Sequence, residues 1–95
     1  MAPTFFSNLR RRQLTKIVER HTREGRARDA RRADALRRRE WIVAALAVSD
    51  GNMTALEALR ISALEVVAEL EALDREDIAA NNKLVAYINK FNGEE

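Results

Sequence analysis

Thirteen of the seventeen Lys and Arg residues fall in the first forty positions. They are Arg10, Arg11, Arg12, Lys16, Arg20, Arg23, Arg26, Arg28, Arg31, Arg32, Arg37, Arg38 and Arg39. A guanidinium presents a planar fork of N–H donors that fits phosphate bidentately and stacks on bases. This density of basic residues points to nucleic-acid contact. If six arginines each neutralised a phosphate, affinity would fall with salt at a log–log slope of roughly −5. The competing reading is a solvated helix face, because Asp29, Asp34 and Glu40 are interleaved with the arginines.

The rest of the chain offers little chemistry. His21 is the only histidine and continues the apolar face of Leu14, Ile17 and Val18. No Ser-His-Asp set can be assembled around it, and no glycine-rich phosphate loop is present. The absence of cysteine excludes disulfides and thiolate metal sites. Asp50-Gly51-Asn52 is too short for a calcium loop. Asp74, Glu76 and Asp77 cluster where a helix is expected to start, and the helix dipole favours acids there. No enzyme activity, cofactor or metal is expected.

Two resemblances bear on function. The segment ARRADALRRREW is similar in composition to the arginine-rich RNA-binding peptides of phage antitermination proteins, which implies a helix that grips structured RNA. Trp41 would then stack on a base, or else anchor the core. Residues 45–73 contain DGNMTALEALRISALEVVAEL, which resembles the helix-turn-helix of Fis-type DNA-binding proteins through Gly51-Asn52, Thr54, Ala55, Leu59, Ile61-Ser62 and Val66. That likeness implies a recognition helix over Ser62–Leu73. Two features depart from the pattern. Arg60 occupies the usual turn glycine, and the implied recognition helix carries Glu65, Glu69 and Glu71 with no basic residue to face the phosphates.

The elements that must position these residues are all helical. Pro3 is the only proline, the glycines are Gly25, Gly51 and Gly93, and Ala, Leu, Arg and Glu dominate. Ser7 is a plausible cap for a first helix over about 8–23, and a second is expected over about 26–48, laced by pairs such as Asp34 with Arg38. Ser49-Asp50-Gly51-Asn52 is the clearest break. Beyond it, Thr54-x-x-Glu57 and Ser62-x-x-Glu65 both read as capping boxes, so residues 54–73 form either one helix or two with a turn between. Leu56, Leu59, Ala63, Val66, Leu70 and Leu73 follow a 3-4 spacing that favours one helix and marks a partner or self-association seam. Asp74 is expected to cap a last helix to about Phe91.

The expected fold is therefore all-α: a small bundle of three to five helices in one domain. A basic helical arm spans 1–40 with charge +8, and an acidic bundle spans 41–95 with charge −6. The larger apolar residues support this division, since twenty of twenty-eight lie in 41–95. Core residues are expected to be Ile42, Leu46, Leu56, Leu59, Val66, Leu70, Leu73, Ile78, Val85 and Ile88. The longest apolar run, Trp41 to Val48, is far too short to span a bilayer, and a cytoplasmic protein is expected.

The function expected is that of a small accessory or regulatory nucleic-acid-binding protein of the kind phages and plasmids encode. Its partners would be DNA or RNA, with a homo-oligomer or protein partner on the seam. The rival is a protein-interaction component, such as an adaptor, an inhibitor or a virion assembly part, whose arginines meet acidic protein surface. A third reading docks Phe5, Phe6 and Leu9 beside Arg10–Arg12 on anionic lipid.

Overall fold

A computed structural model describes residues 4–93, with side chains from 8 to 91. The described residues form two antiparallel α-helices, α1 (Thr4–Val48) and α2 (Met53–Gly93). Paired along their length, they make a rod 77 Å long and 17 by 13 Å across.

The all-α expectation holds, and the number of helices does not. Two helices replace the three to five expected, because only one of the anticipated breaks forms. Ser7 and Gly25 both lie inside α1, and Asp74 lies inside α2. Each was a plausible start or stop, but neither proline nor a left-handed residue enforces one. The exception is Ser49–Asn52. There Gly51 takes φ +73°, a left-handed value that suits glycine. Ser49 Oγ donates to the Ala45 carbonyl and closes the end of α1. Asn52 caps α2: its Oδ1 accepts from the Ala55 N–H at 3.0 Å, and its carbonyl accepts from the Leu56 N–H at 3.0 Å. With Asn52 in that role, Thr54 and Ser62 are ordinary helical residues. α2 runs unbroken through Arg60–Ser62, where the Fis-type resemblance puts a turn.

The seam read from Leu56 to Leu73 exists, and it faces the chain's own first helix. Leu59, Val66 and Leu73 are buried, and Leu56, Ala63 and Leu70 are half-buried. Those six residues, expected at a partner or self-association interface, instead hold the hairpin together. The same spacing continues through Asp77, Ala80 and Leu84 to Phe91, all half-buried. On α1 the facing residues include Arg28, Ala35 and Ile42, spaced by sevens and all buried. Ala35, Ile42, Leu59 and Val66 pack as one cluster, with Ala45, Ala63 and Leu70 against it.

Several core expectations are corrected. Ile78 (61% exposed), Val85 (55%) and Leu46 (46%) lie outside the seam, and Ile88 is half-buried. A hairpin has one buried seam, so apolar residues on other faces stay in solvent. Trp41 is 65% exposed and is not a core anchor. Ala35 and Arg28 supply buried positions in their place.

Candidate nucleic-acid interface

Folding back on itself redistributes the chain's charge. The sequence reads basic first and acidic second, but antiparallel pairing sets residues 28–32 against residues 69–77. Arg28 Nε donates to Asp77 Oδ1. Arg32 Nη2 donates to Asp77 Oδ2 at 2.7 Å and to Asp74 at 3.2 Å. Arg31 donates to Glu69 and Glu76, each at 3.1 Å. The anticipated Asp34–Arg38 pair forms at 3.4 Å, and Arg37 shares the same carboxylate at 3.6 Å.

Asp77 stands at a seam position and receives two guanidinium groups. Hydrogen bonds from Arg32, and then from Arg28, hold its carboxyl below the ordinary carboxylate range. Hydrogen bonds to Glu76 and Glu69 raise Arg31, and a hydrogen bond to Asp77 chiefly raises Arg32. A polar layer in an otherwise apolar seam favours the one register that satisfies it. The arginine-rich segment thus has a structural employment, and most of its charge is answered within the chain.

By residue count the rod has three zones. The middle, 27–39 with 69–78, holds seven Lys/Arg and seven Asp/Glu and is neutral. The turn end, 40–68, holds one against four, a net of −3. The open end, 8–26 with 79–93, holds nine against two, a net of +7. Sequence position divides charge at residue 40, yet Glu40 and Trp41 are consecutive residues inside α1.

The open end has a shaped surface. A cleft of about 370 Å³ is lined by Gln13, Lys16, Ile17, Tyr87, Lys90 and Phe91. A second cleft shares Ile17 and Tyr87 with it and adds Arg20, His21, Glu24 and Lys83. Lys16 and Arg20 from α1 and Lys83 and Lys90 from α2 therefore flank Tyr87. Tyr87 is 41% exposed, and its ring stacks on Phe91 with centroids 6.0 Å apart. No ion pair forms at these four cations among the described residues. Arg12 and Arg23 extend the α1 side of this surface at helical spacing, while Arg11 and Arg26 are exposed on other parts of the helix. Arg39 is exposed in the middle zone, remote from the open end, and Arg10 makes its own interaction. Glu24 is the one acid that lines either cleft among the described residues.

Of the thirteen basic residues picked out in the sequence, the structure brings Lys16 and Arg20 to the cleft and diverts Arg28, Arg31, Arg32, Arg37 and Arg38 into ion pairs. Lys83, Lys90 and Tyr87 were missed. The signal for them was available: residues 78–93 contain two lysines and no acid, seven apart and so on one helix face. Ser62–Leu73 turns Ala63, Val66, Leu70 and Leu73 toward α1 and leaves Leu64 and Val67 exposed, and Glu69 is held by Arg31. His21 lines the second cleft half-buried. No group of His, Cys, Asp or Glu among the described residues is arranged to hold a metal ion. No described helix is long and apolar enough to cross a membrane. The side chains of Phe5 and Phe6 lie outside the described residues.

No protein-family model, curated protein or solved structure matches this chain.

Proposed function

We propose that this protein is a small accessory nucleic-acid-binding protein that grips phosphates with the open end of its hairpin. The observation that carries the reading is the cleft where Lys16, Arg20, Lys83 and Lys90, drawn from both helices, surround a half-exposed Tyr87. Lysine and arginine supply counter-charge to the backbone, and an accessible aromatic face offers a platform for an unpaired base. This moves the site away from Arg28–Arg38, whose guanidinium groups are engaged, and toward Arg12, Lys16, Arg20, Arg23, Lys83 and Lys90. The acidic turn end repels the same ligand, so a strand is expected to meet one end of the rod only.

Fluorescence anisotropy with a labelled duplex DNA and a labelled single-stranded RNA tests this. If the four cleft cations each neutralise one phosphate, the log–log salt slope on duplex DNA is about −4. K83E/K90E is expected to abolish most binding, although neither residue belongs to the arginine-rich half. Absence of binding at low salt, or full affinity in K83E/K90E, refutes the proposal. RNA bound better than DNA, with the preference lost in Tyr87→Ala, supports the stacking role.

A second reading is favoured by the turn end. Trp41, Val48 and Met53 are 65%, 81% and 76% exposed there, and Trp is a residue on which protein interfaces often centre. In that reading the hairpin is an adaptor or assembly part that offers its turn end to another protein. Trp41 is the chain's only tryptophan, so its fluorescence reports directly on such an encounter.

A further inference from the structure

α2 carries a second heptad stripe that the hairpin does not use. Ile61, Leu64, Ile78 and Val85 are 49%, 57%, 61% and 55% exposed, and Leu64, Ile78 and Val85 differ by multiples of seven. Filling in the 3-4 spacing adds Ala68, Glu71, Arg75 and Asn82, all exposed. This stripe lies about 140° around α2 from the buried seam, at 100° per residue. It shares no residue with the basic cleft, so its role is independent of nucleic-acid binding.

We infer that a second copy of this chain covers the stripe, with the two α2 helices antiparallel about a two-fold axis at Leu73. In an antiparallel coiled coil, residues of one heptad class meet residues of the other. Here the class that contains Ile61, Ala68, Arg75 and Asn82 meets the class that contains Leu64, Glu71, Ile78 and Val85. Centred on Leu73, every layer satisfies this rule. Ile61 meets Val85 of the second copy, Ala68 meets Ile78, Leu64 meets Asn82, and Glu71 meets Arg75. The two-fold repeats each layer, so the centre holds two opposed carboxylate–guanidinium pairs. Neither Glu71 nor Arg75 makes an ion pair among the described residues of its own chain. Parallel pairing would instead set Glu71 against Glu71 and Arg75 against Arg75.

Surface area points the same way. The accessible surface is 7648 Å². A compact monomer of 10.8 kDa exposes about 5,500 Å². The excess, about 2,000 Å² per chain, is more than twice the roughly 800 Å² that each partner buries in a standard-size interface, so the rod has surface to give up to a second copy. In the dimer the two Tyr87 rings lie at opposite ends of the α2 pair, about 42 Å apart along the axis at 1.5 Å per residue.

The test is sedimentation equilibrium on the full chain and on Glu71→Arg and Arg75→Glu, at chain concentrations up to about 100 μM, a range that detects micromolar self-association. The wild type is expected at twice the chain mass. Each variant alone places like charges in both central layers, and dimerisation should weaken at least tenfold. An equimolar mixture of the two variants restores opposite charges in both layers and is expected to dimerise again. Both substitutions fall on exposed positions, and circular dichroism confirms that each variant keeps its helices. A wild type that stays monomeric overturns the inference. So does a dimer or larger assembly indifferent to either reversal, or a mixture no better associated than its components.

Discussion

Among the described residues Leu73 is the largest side chain that the hairpin buries completely, at 0% exposure, and it sits between the apolar cluster near the turn and the ionic layer at Asp77. Leu73→Ala removes three carbons. At about 0.8 kcal/mol per buried methylene the transfer loss alone is about 2.4 kcal/mol, and incomplete collapse around the gap raises it to about 3 kcal/mol. That is more than a hundredfold in the folded-to-unfolded ratio. Only five apolar side chains are buried among the described residues, so few others share the burden. Urea unfolding followed by helix ellipticity at one fixed protein concentration should show the midpoint lowered by about 2 M, taking a slope near 1.5 kcal/mol per molar. Val48→Ala is the control, since Val48 is 81% exposed. If Leu73→Ala costs no more than Val48→Ala, the seam does not hold the helices together, and the assignment of Leu56–Leu73 to the intramolecular interface is wrong.

Other outcomes follow from the turn and the ionic layer. Asn52→Ala removes the cap of α2 and is expected to cost about 1 kcal/mol in the same unfolding assay. Gly51→Ala meets no steric obstacle within 4 Å, so its cost of about 1 kcal/mol arises from the left-handed φ alone. An unchanged midpoint would deny that conformation. Asp77 has a depressed folded-state pKa, so its contribution is fully present above the unfolded carboxylate value of about 3.9 and is lost as pH falls through the lower folded value. Thermal melts should therefore decline below about pH 4, and Asp77→Asn should flatten that acid limb. A decline that is the same in Asp77→Asn would place the titration elsewhere.

The exposed apolar residues at the turn end and on α2 are the main unsatisfied groups in this architecture. A two-helix rod has one seam, and side chains such as Leu64 and Ile78 have nowhere inside it to go. A second copy on α2 relieves part of this and leaves the basic clefts at the two ends of the assembly. Phosphate binding and self-association would then be read out by separate substitutions, Lys83 and Lys90 for one, Glu71 and Arg75 for the other.

Helicity, the break at Ser49–Asn52, the Leu56–Leu73 seam and the Asp34–Arg38 pair were all legible in the residues themselves. Each depends on neighbours a few positions apart, where intrinsic propensity and helical spacing decide the outcome. The count of helices was not, because a capping box is used only where the chain turns, and Asn52 had already supplied the cap. The fate of the arginines was equally hidden. Whether Arg28, Arg31 and Arg32 meet phosphate or carboxylate depends on what lies across the hairpin, and the residues that answer them are 38 to 49 positions away. The same antiparallel register sets Lys83 and Lys90 beside Lys16 and Arg20. Local sequence decided that helices form; the pairing of the two helices decided which charges cancel and which remain for a ligand.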